Sequence, residues 1–81
     1  MKPGQYMIVT TNNEEKFRYF YKILSFEKTM KSFIVVLAYR DNMTTTTMVD
    51  LDYLNSGRFN YELFDDEMQF HLMRSINAER V

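Results

Sequence analysis

Lys16-Phe17-Arg18-Tyr19-Phe20-Tyr21-Lys22-Ile23-Leu24 and Phe33-Ile34-Val35-Val36-Leu37-Ala38-Tyr39 decide the fold. Both read as strands, because β-branched and aromatic side chains suit a pleated, half-buried surface. In the first stretch Phe17, Tyr19, Tyr21 and Ile23 share one face, while Phe20, Leu24 and Phe26 lie on the other with Arg18 and Lys22. The second sets Phe33, Val35, Leu37 and Tyr39 opposite Ile34, Val36 and Ala38. Both faces of both strands are therefore partly apolar. A flat sheet with one wet face does not need this, so the sheet either curls into a small barrel or has its second face covered.

Outward from these two, strands are predicted near 5–11, 16–28, 32–40, 43–51 and 59–64. Asn12-Asn13, Thr29-Met30-Lys31, Arg40-Asp41-Asn42 and Asn55-Ser56-Gly57 supply the reversals, since Asn, Asp and Gly tolerate positive φ or bond their own backbone. Consecutive hairpins imply an antiparallel meander. From Phe64 the period changes: Phe64, Met68, Leu72 and Ile76 recur every fourth residue with Met73 beside them, which predicts an amphipathic helix over about 66–78 that covers the second face. Asp65 or Asp66 can cap its start, and Asp66 and Glu67 suit the positive end of its dipole. Met68, Phe70 and Leu72 also alternate, so a sixth strand competes; the caps favour the helix. The expected fold is mostly β with a C-terminal helix, a small antiparallel five-stranded curled sheet or SH3-like barrel, in one domain spanning 1–81.

Composition narrows the chemistry. The chain has 81 residues, 46% hydrophobic and 16% aromatic, so large rings can close a small core without a metal or a staple. With no cysteine, disulfide scaffolds, thiolate zinc sites and thiol catalysis are excluded, and an unstapled domain points to the cytoplasm. The longest apolar runs fall far short of the roughly 20 residues that span a bilayer, and the N-terminus does not look like a signal peptide, so no membrane association is expected. Net charge is −1 but uneven: residues 16–40 hold six basic side chains against Glu27, or +5, and residues 41–67 hold seven acidic ones against Arg58, or −6. The two segments form surface poles, or pair as neighbouring strands and neutralise each other.

His71 is the single histidine, which excludes a multi-histidine metal site, and at the polar edge of the predicted helix it reads as solvent-exposed or partner-contacting. Asp50 with Asp52, and Asp65-Asp66-Glu67, lack the loop spacing of a calcium site. Gly4 and Gly57 are the only glycines, so there is no phosphate-cradling loop, and Ser25, Ser32, Ser56 and Ser75 have no nucleophile-elbow context. Neither an enzyme nor a cofactor is expected.

Two signals suit binding. Seven methionines and thirteen aromatics are hard to hide in 81 residues, so an exposed apolar patch or a homodimer interface is expected. The candidate protein-binding residues are Met48, Tyr53, Phe70 and Met73 as anchors, with Asp50 and Asp52 at the rim. The second signal is the alternation of cations and rings at Lys16, Arg18, Phe20 and Lys22, which on a strand forms a stripe able to stack single-stranded nucleic acid. The bland reading is that Phe20 is simply covered by the C-terminal helix.

The cysteine-free composition, rich in Met, Asn, Asp, Tyr and Phe and including Tyr6-Met7-Ile8-Val9-Thr10-Thr11-Asn12-Asn13, resembles that of small accessory proteins of large tailed phages. The resemblance implies a protein of the host cytoplasm that binds and modulates, or inhibits, a host or defence enzyme without catalysis of its own. It carries no site residues. The leading expectation is thus a non-enzymatic protein-binding module; a barrel for single-stranded nucleic acid and a self-assembling structural component are the alternatives.

Overall fold

A computed structural model describes residues 1–78, with side chains followed to Ile76. Five strands, β1 (Tyr6–Thr11), β2 (Arg18–Phe26), β3 (Phe33–Arg40), β4 (Met43–Asp50) and β5 (Phe59–Phe64), form one antiparallel sheet in the order β4-β3-β2-β1-β5. A short helix, α1 (Leu51–Leu54), links β4 to β5, and α2 (Glu67–Ala78) follows β5. The sheet is curled but not closed, leaving β4 and β5 as edges, so the barrel alternative is set aside. Among the described residues no helix is long and apolar enough to cross a membrane.

Local chemistry explains the boundaries. β2 begins at Arg18, later than the alternation suggests, because Lys16 takes a positive φ of 50° and the Phe17 amide donates to Thr11 Oγ1. β4 stops at Asp50, whose carboxylate accepts the Asp52 amide at 3.0 Å and caps α1. The sequence reading extends that strand to 51 and does not contain α1. The β3–β4 hairpin turns on Asp41 at φ 55°.

A shift in register between Ile23 and Ser25 leaves Leu24 as an extra residue in β2. Such a bulge bends its strand and increases twist. The curl and α1 together close one layer of core, in which Leu54 lies on Met7, Val9, Ile23, Ile34 and Val36, with Tyr21, Val49, Leu51, Phe59 and Leu63 around them.

The other face carries a second layer. Register sets Tyr6 between Lys22 and Phe64, and Ile8 between Phe20 and Glu62. Here α2 inserts Phe70, fully buried, against Tyr6 at 4.8 Å between ring centroids, Tyr39 at 5.6 Å, Phe64 at 6.3 Å and Phe20 at 6.4 Å. Asp66 caps the helix by accepting the Met68 amide at 2.9 Å. Arg74 secures it to the β3–β4 hairpin, donating to the Asp41 carbonyl at 2.7 Å while lying 4.9 Å from the Tyr39 ring centroid.

The covering helix is where it is expected, but it is rotated. Phe70 and Met73 face the sheet, whereas Met68, Leu72 and Ile76 are 81%, 61% and 40% exposed. Four-residue spacing marks a helix without stating which stripe packs; a large ring opposite Tyr6 buries more apolar area than the thioether of Met68. His71 is half-buried rather than at the edge, packed on Tyr39 at 5.4 Å, with Nε2 3.7 Å from Glu67.

The +5 and −6 segments meet as neighbours where β3 pairs with β4. Among the described residues, however, no Lys or Arg side chain pairs with a carboxylate.

Phe70→Ala is expected to cost about 3–5 kcal/mol of unfolding free energy, the usual range for deleting a buried ring. Leu72→Ala should stay within about 0.5 kcal/mol, as exposed substitutions do. Urea unfolding followed by circular dichroism measures both; equal losses would refute this orientation of α2.

Candidate binding groove

Beside the first core layer, the edge of the sheet opens into a groove of about 510 Å³ lined by Thr11, Asn12, Asn13, Phe17, Tyr19, Tyr53, Arg58 and Phe59. Four segments contribute. The end of β1 and the Asn12-Asn13 turn form one wall, Phe17 enters from just before β2 and Tyr19 from within it, Tyr53 from α1, and Arg58 and Phe59 from the entry to β5.

The walls are tied together by hydrogen bonds that the sequence supplies locally. The Asn12 amide donates to the Arg58 carbonyl at 2.8 Å, and its side-chain Nδ2 donates to the Gly57 carbonyl at 2.8 Å. Asn60 Nδ2 in turn donates to Asn12 Oδ1. Asn13 Oδ1 accepts from Thr11 Oγ1 at 2.9 Å and from the Lys16 amide at 3.1 Å, which holds the 12–17 loop in shape. Gly57, at φ 95°, reverses the chain between α1 and β5, a conformation that costs other residues more.

Rings dominate the lining. Tyr53 meets Phe59 edge-on at 5.1 Å, and Tyr19 is stacked along the strand on Tyr21 at 6.5 Å with planes 12° apart. Phe17 is 55% exposed, Tyr53 54% and Tyr19 44%, so these rings present apolar area to an occupant instead of filling the core. Arg58 and Asn13 line the groove beside them. Such a set offers flat apolar faces with a few polar residues among them.

The residues expected to bind protein are not gathered in one place. Tyr53 lies in the groove. Asp50 and Asp52 stand at the start of α1, where Asp50 is half-buried and caps the helix and Asp52 is exposed. Met48 is 46% exposed on the edge strand β4. Met73 is half-buried on the face of α2 that meets the sheet. Phe70 is corrected: it is the centre of the second core layer, and with no exposed area it cannot anchor a partner.

The basic stripe is dispersed as well. Lys16 sits in the loop beside the groove. Arg18 is half-buried and lines a second, smaller cavity of about 320 Å³ with Ile8, Thr10, Tyr61 and Met73. Phe20 lies beneath α2 with its ring against Phe70, the covered position weighed above, and the Lys22 ammonium stands 5.5 Å from the Tyr6 ring centroid. These four residues do not make an open stacking platform.

Sequence reading misses Phe17, Tyr19, Arg58 and Phe59 as a group. Their one shared signal is the alternation that sets Phe17 and Tyr19 on one face where the chain enters β2; that Tyr53 and Phe59 join them depends on α1. Among the described residues no cluster of three or more His, Asp or Glu side chains is placed to hold a metal. No family model matches the chain, and comparison with curated proteins and with solved structures found no match.

Burial holds the Tyr21 hydroxyl above its usual pKa, with the neighbouring Tyr19 adding to the effect. Tyr39, beneath α2, is also raised, chiefly by burial. A tyrosine raised in the folded state ionises first in the unfolded chain, so stability is fully present below about pH 10 and falls as pH rises through the folded value. Urea midpoints between pH 8 and pH 11 should therefore decline above pH 10, and Tyr21→Phe with Tyr39→Phe should flatten the decline. A midpoint that holds level to pH 11 in the parent protein would contradict this placement of the two hydroxyls.

Proposed function

We propose that the protein is a non-enzymatic protein-binding module that holds an extended segment of a partner chain in the groove formed by Phe17, Tyr19, Tyr53 and Phe59. The observation that carries this reading is the convergence of four rings and Arg58 on one open groove with hydrogen-bonded walls. Aromatic residues and arginine are the types enriched where proteins recognise one another, and extended segments dock into aromatic-lined grooves at little entropic cost. Phe17, Tyr53 and Tyr19 already sit exposed in the free protein, so the segment meets a preformed surface.

Arg58 gives the segment a preferred chemistry, an apolar or proline-bearing stretch flanked by a carboxylate. The reading agrees with what the phage-like composition implies, a cytoplasmic modulator that occupies a surface of a host or defence protein. Burial of Phe20 under α2 weighs against the nucleic-acid alternative.

Selection of displayed peptides on the immobilised protein, followed by calorimetry, tests the reading. Enriched sequences are expected to be apolar with an acidic residue, and Tyr53→Ala should weaken binding about 30-fold, equivalent to roughly 2 kcal/mol for an anchor residue. Peptides that bind Tyr53→Ala as well as the parent would place recognition elsewhere. Salt-sensitive binding of a poly-pyrimidine strand, lost in Tyr53→Ala, would replace the peptide with nucleic acid.

A further inference from the structure

We infer that β4 is a self-association edge, through which two copies of the chain pair antiparallel about a two-fold axis at Thr46. Met43 to Met48 are all exposed, and β4 pairs on one side only, with β3. Exposed edges are normally blunted by charge, proline or a bulge. This one has none of them: Met43-Thr44-Thr45-Thr46-Thr47-Met48-Val49 is uncharged and proline-free, and its register with β3 is unbroken over eight residues.

The geometry of the hairpin selects the register. A two-residue turn makes Arg40 and Met43 a hydrogen-bonded pair, and bonded and non-bonded pairs then alternate along the ladder. The backbone groups of Thr44, Thr46 and Met48 consequently point outward. An isologous antiparallel pairing must set outward-pointing residues opposite outward-pointing ones, so the axis passes a residue and not the midpoint between two neighbours. Centring on Thr46 pairs the whole uncharged stretch Met43–Val49 with itself and keeps Asp50 out of the threonine run: Thr46 meets Thr46, Thr44 meets Met48, Thr45 meets Thr47 and Met43 meets Val49.

This register also suits a second copy in its chemistry. It places no like charges opposite one another, and threonine pairs are favourable across strands. At each end Asn42 of one copy comes opposite Asp50 of the other, an amide donor against a carboxylate. The second edge is poorer for this purpose, since β5 is shorter and carries Glu62 at its middle. Pairing through β4 consumes both β4 edges and closes as a dimer instead of propagating into a fibre.

Light scattering across a concentration series, with oxidative cross-linking of single-cysteine variants, tests the inference. The parent protein is expected to pass from its 9.8 kDa chain mass towards twice that value as concentration rises. Thr46→Lys, which sets two ammonium groups against each other on the axis, should remain monomeric with an unchanged circular dichroism spectrum. Opposed residues of a hydrogen-bonded pair stand about 5.5 Å apart at Cα, within disulfide reach, so Thr46→Cys should cross-link rapidly and Thr45→Cys slowly. A parent protein that stays monomeric throughout overturns the inference, as does a folded Thr46→Lys variant that still dimerises. Cross-linking at equal rates by the two cysteine variants overturns the register.

Discussion

The ring of Phe70, buried among Tyr6, Phe20, Tyr39 and Phe64, is the contact on which the rest of the structure depends. The central strands are apolar on both faces, and a single sheet can hide both only if separate elements cover them. Phe70 brings α2 onto one face and commits Phe20 and Tyr39 to the interior. Arg74 then ties the helix to the Asp41 carbonyl, so helix, hairpin and central strands form one unit.

That commitment determines what is left for binding. Once Phe20 is under α2 and Lys22 lies by Tyr6, the cation-and-ring alternation of β2 belongs to packing on that face. The exposed rings are on the opposite face, at the open end of the first core layer. There the bulge at Leu24 and the short α1 curl the sheet over Leu54, and Tyr53, the residue before Leu54, is left outside to meet Phe59. Core and groove thus share one helical turn: Leu54 is 4% exposed and Tyr53 54%.

The distribution of charge follows the same division. β4 is bare of charge between Asp41 and Asp50, and apart from Glu62 within β5 the acidic residues of the later chain lie at or near the ends of elements, where Asp50 and Asp66 cap helices. The carboxylates of Asp50 and Asp66 are engaged with backbone amides. These two define where helices start.

Strand positions and capping were legible in the sequence because their causes are local: alternation of side chains, Asn and Asp at the reversals, and an aspartate before a four-residue period; strand order was not wholly so, since the expected meander ends at β4 and β5 returns to pair with β1 at the far side of the sheet. Hence all five strands and a helix starting near residue 66 follow from residues within a few positions of one another. The face α2 presents, the existence of α1 and the membership of the groove were not legible. The stripe of Met68, Leu72 and Ile76 and the stripe of Phe70 and Met73 are both apolar, and only the hollow between Tyr6, Phe20, Tyr39 and Phe64 selects the second. Tyr53, Phe17 and Phe59 likewise become neighbours only when a bulge and one helical turn fold distant segments together. Periodicity records that a face is apolar; which apolar face is buried is settled by the shape of what it packs against.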